Sequence, residues 1–202
     1  MRYPSIFAIA IAVALAPLAA RAEVDPPPGL LDRDVAIERF FLELAGNTHG
    51  FTNDEEWHLA GTVYDAAQAH DVDPFLVLAV IRVESTFKRG QRSSVGALGL
   101  MQVRPGTARA MARVAGVHWR GRHTLLHPAD NIRLGTAYLA RLLHRFHGNA
   151  TLALTAYCHG PTEVRRMIRG HRLDKSALRY ARKVTAFWHR YREGLTSKRP
   201  VS

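Results

Sequence analysis

Apolar residues recur along most of this chain at the three- and four-residue spacing that gathers them on one side of a helix, and strand-like alternation is scarce. Asp32 to Ala45 reads as a first helix, with Val35, Ile37, Phe40, Phe41 and Leu44 apolar and Gly46-Asn47 as its stop. A second opens at Asn53, where Glu56 three residues later resembles a capping box, and runs to about His70. Its expected buried set is Trp57, Leu59, Val63, Tyr64 and Ala67. Asp73-Pro74 then supplies an N-cap and a first helical residue. Phe75 to Ile81 is apolar without a break, a pattern that suits a buried helix and a buried strand alike. The cap and the length to Lys88 decide for a helix, and one apolar on all sides belongs in the core.

Glycines and serines mark residues 89–100 as loop. Beyond them the pattern predicts a short helix over Thr107 to Ala115, a polar connection from Arg120 to Pro128, and a strong helix from Asp130 to about His147. The stripe of that helix includes Leu134, Tyr138, Leu142 and Leu143. Thr151 to Cys158 and Thr162 to Arg169 follow, separated by Gly160-Pro161. Ser176 to Arg192 carries Leu178, Ala181, Val184, Thr185 and Trp188 on one side. With no internal repeat and no dividing linker, the reading is a mainly α chain with little or no sheet.

The N-terminus follows a different rule. Met1-Arg2 gives a positive start, Ile6 to Leu15 is an apolar run, and Ala20-Arg21-Ala22 offers the small-x-small pattern of a cleavage site. The run falls short of the roughly 20 apolar residues a spanning helix needs. Residues 1–22 are therefore expected to be a signal peptide, which places the mature chain in the periplasm or cell envelope. No cysteine stands at the cleavage position to carry a lipid, so no membrane anchor is expected after signal cleavage. Residues 23–70, with a stiff proline lead-in at 25–31, read as an acidic helical extension, 71–192 as the main domain, and 193–202 as a polar tail.

Composition narrows the chemistry. The chain has 202 residues with a net charge of +11 and one cysteine, so neither an internal disulfide nor a cysteine-rich zinc site is available. Residues 23–81 hold two arginines against twelve acids, whereas 82–202 hold 24 lysines and arginines against five acids. In an exported chain that basic excess suits cell-wall carboxylates or lipid phosphates better than nucleic acid, and it is equally a solvated surface partly neutralised by the acidic arm.

Glu84 draws attention because it ends a buried apolar helix just before a Gly/Ser-rich loop. Desolvation raises a carboxyl pKa and lets the group hold a proton near neutrality, as a general acid must. Phe87, Met101 and Tyr157 are candidate apolar walls, while Lys88, Arg89 and Arg104 would oppose the shift if close; a Glu84–Lys88 helix pair is the plain alternative. Cys158-His159 invites a thiol nucleophile, but the cysteine closes a short helix and adjacent residues seldom face each other. His144 and His147 lack the acidic partner of a zinc protease motif, so neither metal nor cofactor is expected.

Four blocks carry a further resemblance. Glu84-Ser85, then GALGLMQVRPGTA from Gly96 to Ala108, DNIRLGTAYLARLL from Asp130 to Leu143, and ALTAYCHGPTEV from Ala153 to Val164 stand in order, followed by Arg179-Tyr180 and Val184. Together they resemble the catalytic domain of soluble lytic transglycosylases, over about Asp71 to Val184. The resemblance implies a lysozyme-like fold of the α+β superfamily with a groove for glycan strands of peptidoglycan. It implies cleavage of the β-1,4 bond between N-acetylmuramic acid and N-acetylglucosamine. Glu84 matches the family's catalytic glutamate. Ser85, Ser93, Met101, Gln102, Tyr157 and Tyr180 match positions expected to contact or position substrate.

No Asp or Glu occurs between Glu84 and Asp130, so a two-carboxylate hydrolytic scheme lacks its second group nearby. The expected route is therefore one acid, participation of the sugar's N-acetyl group, and closure of the muramic C6 hydroxyl on C1 to a 1,6-anhydro product. Ser93 and Tyr157 are expected to position Glu84 or the N-acetyl group, and Gln102 to hold substrate. The sequence departs from the family at Cys158 (asparagine in the family), at Arg104 (methionine), and at Ser176-Ala177-Leu178, where an E-T-R stretch is common. These departures leave open a weakly active or inactive glycan-binding module for an envelope-spanning apparatus, and a hydrolytic muramidase. Wall turnover and opening of the wall for a secretion or conjugation apparatus are both open to such an enzyme, and the small size fits the second.

Overall fold

The structure, a computed structural model, describes residues 33–45 and 47–196. The signal-peptide reading of 1–22, the proline lead-in, the stop at Gly46 and the last six residues of the tail lie outside the described residues. Chain order runs α1 (Arg33–Ala45), α2 (Asn53–Ala69), α3 (Pro74–Ser85), α4 (Pro105–Met111), a 3-10 turn (Arg122–Leu126), α5 (Pro128–Arg145), α6 (Ala150–His159), α7 (Pro161–Arg169) and α8 (Arg179–Thr196). Among the described residues the only β pairing is isolated bridges: Arg92 with Leu98, Leu98 with Val103, and His49 with Lys88. The mainly α expectation holds.

α3 is the central element. Phe75 to Ile81 is buried throughout, and burying each large aliphatic side chain contributes about 1.5–3 kcal/mol. Asp73 caps its start, accepting from the Phe75 amide at 2.8 Å. The other oxygen of Asp73 accepts from Trp188 Nε1 on α8, also at 2.8 Å. At the opposite end of α3, Glu84 meets Tyr180 of the same helix α8. The two helices therefore run antiparallel, pinned at both ends. α2 packs on α1, α3 and α5, while α6 packs on α5, α7 and α8. Phe40 of α1 meets Phe75 of α3 edge-on, with ring centroids 5.0 Å apart.

Several local expectations shift. The capping box of α2 is formed by Thr52 with Glu55, one residue before the expected pair Asn53 and Glu56. Glu56 instead lies buried and accepts from the Thr48 hydroxyl. Trp57 is 44% exposed and stacks on Phe41 at 4.5 Å, so it covers the core edge rather than entering it. α3 stops at Ser85, short of Lys88, because Thr86 turns left-handed. α8 starts at Arg179 rather than Ser176, since Asp174 accepts from the Ser176 and Ala177 amides and holds them in a turn. It continues past Glu193 to Thr196.

Candidate active site

The exit of α3 sets the site. Thr86 and Phe87 have φ of 49° and 58°, a left-handed conformation that costs about 1–2 kcal/mol for each residue bearing a Cβ. The turn is held by the Thr86 amide, which donates to Arg82 O at 3.2 Å, and by Phe87, whose ring is wholly buried. Ser85 donates its hydroxyl back to Ile81 O at 3.1 Å. Glu84, on the last turn of the helix, faces a cleft of about 550 Å³. Ser93, Gln102, Arg104, Tyr157, Cys158 and Tyr180 also line it.

Burial pushes the Glu84 carboxyl up from 4.5 to about 7, partly opposed by the hydroxyl of Tyr180, which donates to Oε1 at 2.6 Å. None of the cations expected to oppose this shift contributes to it, although Arg104 lines the same cleft. Lys88 is exposed, its backbone forming an isolated β bridge with His49, while Arg89 pairs with Glu55 at 2.7 Å and lies over the Phe51 ring. Glu84 makes no ion pair among the described residues, so the helix salt bridge with Lys88 is not formed. No other Asp or Glu lines this cleft among the described residues. The Tyr180 and Tyr157 rings stand parallel, 2° apart in tilt and 6.4 Å between centroids, and Tyr138 flanks Tyr157 at 5.4 Å. Desolvation and the nearby Glu84 carboxyl push both the Tyr157 and Tyr180 hydroxyls well above their usual range, so they stay protonated donors.

The floor is the loop from Gln91 to Val103, folded back on itself by Gly99 N donating to Gln91 O at 2.8 Å and by the Leu98–Val103 pair. Asn131 of α5, fully buried, ties it down. Its side chain accepts from the Met101 amide at 2.8 Å and donates to Leu98 O at 2.8 Å and Leu125 O at 3.0 Å. Two glycines make that approach possible. A Cβ on Gly99, whose φ is +79°, would strike the Asn131 amide and meet Leu125 O at 2.5 Å. A Cβ on Gly135 would meet Met101 Sδ at 2.5 Å. Gln102, itself left-handed at φ 46°, donates its amide to Gln91 O and Gly99 O.

The expected site residues thus divide. Glu84, Ser93, Gln102, Tyr157 and Tyr180 share the cleft. Met101 and Ser85 do not: at 0% and 4% exposure they are packing residues, with Met101 seated against Gly135 and Thr136. Phe87 likewise packs behind the cleft instead of walling it. Tyr157 donates to Met101 O at 2.8 Å and Ser93 Oγ accepts from the Ala97 amide at 3.0 Å, so neither bonds Glu84. That contact belongs to Tyr180. Burial and the Glu84 carboxyl push the Cys158 thiol up, away from the thiolate a nucleophile needs. Asn131 and the cleft-lining Tyr138 escaped the sequence reading; an asparagine inside an apolar helical face was the available signal for the first, and the polar tip of a tyrosine in a core stripe for the second.

A family model described as the transglycosylase SLT domain matches residues 62–178. Over 96 residues the chain is 38% identical to the soluble lytic murein transglycosylase of Salmonella typhimurium, a match covering 47% of this chain and 15% of that protein. It is 37% identical over 101 residues to the transglycosylase of Enterobacteria phage PRD1, covering 50% of this chain and 34% of the phage protein. Among solved structures it is similar to an inactive mutant of the lytic transglycosylase Slt from Pseudomonas aeruginosa. The TM-score is 0.62 at 27% identity, over 85% of this chain and 32% of that one. The 70 kDa soluble lytic transglycosylase of Escherichia coli shares the fold, with a TM-score of 0.57 at 24% identity over 82% of this chain and 30% of that one. The chain therefore spans only a small part of the length of these relatives.

Proposed function

Because this chain belongs to the transglycosylase SLT domain family, we propose that it is a peptidoglycan lytic transglycosylase acting on the bond between N-acetylmuramic acid and N-acetylglucosamine. One observation carries the reading: a single desolvated carboxyl, Glu84, faces a glycan-sized cleft that offers no second carboxylate among the described residues. A hydrolase of the two-carboxylate kind needs a second group to attack or to activate water. Here the substrate supplies it.

The steps follow from that economy. Tyr180 occupies Oε1 of Glu84, which leaves Oε2 to carry the proton. That proton passes to the glycosidic oxygen as the C1–O4 bond breaks, and the muramic N-acetyl carbonyl oxygen closes on C1. The resulting Glu84 carboxylate then takes the proton of the C6 hydroxyl, whose oxygen displaces the N-acetyl group from C1. The product is a 1,6-anhydro ring, and Glu84 is again protonated without water entering. A carboxyl with a pKa of about 7 suits both the giving and the retaking. Gln102 has spent its amide hydrogens on loop carbonyls, so its amide oxygen is the atom it offers the glycan. The Tyr138, Tyr157 and Tyr180 rings give a sugar its apolar platform.

The N-terminal segment with its cleavage pattern supports action in the periplasm, and no described helix is long and apolar enough to cross a membrane. Digestion of purified sacculi, with mass spectrometry of the released muropeptides, tests the reading. Wild type should release anhydro-muropeptides, and Glu84→Gln should lower that rate by about 100-fold or more, as removal of a general acid does. Reducing-end muramic acid as the main product would favour hydrolysis instead. Undiminished release by Glu84→Gln would remove the proposed acid.

A further inference from the structure

The residues between α1 and α2 lie outside both the resembling blocks and the family match, yet they grip the chain on either side of Glu84, at Arg82 within α3 and at Arg89 beyond its end. Asn47 accepts from Arg82 Nη1 at 2.5 Å through its side-chain oxygen, while its Nδ2 donates to Glu43 O of α1 at 2.8 Å. Farther along, the Arg89 amide donates to His49 O at 3.3 Å, and Arg89 Nη1 reaches Gly50 O and Glu55. None of these residues lines the cleft.

Arg82 is the hub. Its guanidinium lies 5.7 Å from the ring centre of Phe87, the buried residue of the left-handed exit turn, and 5.6 Å from that of Phe187 on α8. Helix α8 also carries Tyr180, the partner of Glu84. A planar cation bonded on its edge by Asn47 and covered by two rings joins three elements at once: α1, the exit of α3, and α8. Consecutive left-handed residues persist only where their surroundings over-determine them, and this hub supplies that constraint.

We infer that the Asn47–Arg82 pair is a positioning latch, holding the strained exit of α3 against α8 and so setting how the Glu84 carboxyl meets Tyr180. The acidic extension thereby serves the chemistry of a cleft it does not touch. The inference rests on the catalytic reading of Glu84 given above.

Arg82→Gln in the full chain removes the cation and its fork while keeping a polar side chain. The rate constant kcat on sacculi should fall about tenfold or more with KM changed less than about twofold, because misplacement of a reacting group by a fraction of its length is costly. The alkaline limb of kcat/KM should move to lower pH as water reaches Glu84. Arg82→Lys keeps the charge but not the plane, and should restore only part of the loss. Carbon-13 titration of the Glu84 carboxyl, assigned by the resonance missing in Glu84→Gln, reads the same displacement without turnover. A wild type that releases no anhydro product would thus sink the functional reading and still leave the latch measurable. Asn47→Ala should shift both readouts the same way by less, and it serves if Arg82→Gln does not fold. Variants that melt earlier yet keep the wild-type kcat and the wild-type Glu84 titration would overturn the latch.

Discussion

At the scale of single residues, the behaviour of Glu84 is a contest between burial, which favours its proton, and the Tyr180 hydroxyl, which favours its charge. Tyr180→Phe removes the second influence alone. A hydrogen bond to a charged group contributes about 1.5–3 kcal/mol, so the carboxyl pKa should rise by about one to two units. The alkaline limb of the rate profile should move up in pH by a similar amount. The maximal rate should meanwhile fall, since on the proposed route the conjugate base that would recapture the C6 proton loses its orienting donor. A pH profile of kcat on sacculi checks both, and an unmoved limb would mean that Tyr180 does not tune Glu84. The proposed acid stands out in the sequence because a carboxylate closing a run of buried aliphatics is chemically out of place. Tyr180 was expected to contact or position substrate, but its pairing with Glu84 was not legible. Ninety-six residues separate Glu84 from Tyr180, and only the antiparallel packing of α3 and α8 brings them together.

At the scale of elements, helix existence was legible and helix ends were less so. The 3.6-residue stripe of α5 and the cap of α3 are local signals, and both appear where expected. Thr52, Asn53 and Asp54 are three competent caps in a row, and local sequence does not choose among them. Burial of Glu56 under Thr48 makes the choice, leaving Glu55 to complete the box. The early stop of α3 depends likewise on tertiary contacts of Phe87. Least visible was the tie between the cleft floor and α5. Asn131→Ala would leave the Met101 amide and two carbonyls without their partner in a dry site, at about 1–3 kcal/mol for each group that water fails to reach. Denaturant unfolding should show a loss of about 3 kcal/mol. Activity in the surviving folded fraction should also drop, because Met101 O is what holds the Tyr157 hydroxyl. A loss below about 0.5 kcal/mol would mean the loop stands without the asparagine.

At the scale of the whole molecule, the site's chemistry is set against the stability of the fold. Glu84 titrates near 4.5 in the unfolded chain and near 7 when folded. Below 4.5 both states hold the proton and the group is neutral in the balance. Between 4.5 and 7 the unfolded chain ionises first and binds fewer protons, so stability falls as pH rises. Above 7 the full cost is present, about 3 kcal/mol as an order of magnitude at 1.36 kcal/mol per unit. Glu84→Gln keeps an acceptor for Tyr180 and removes this slope. Its melting temperature should match wild type near pH 4 and exceed it by about 6–12 °C at pH 8, given about 2–4 °C per kcal/mol for a chain of this size. Calorimetry across that range gives a test independent of catalysis. A gap that does not widen from acid to alkaline pH would mean that folding does not hold the Glu84 proton. A widening gap would trace the desolvation of the proposed acid to a loss of fold stability, which the packed flank of α3 and the ties of α8 to both ends of α3 must offset.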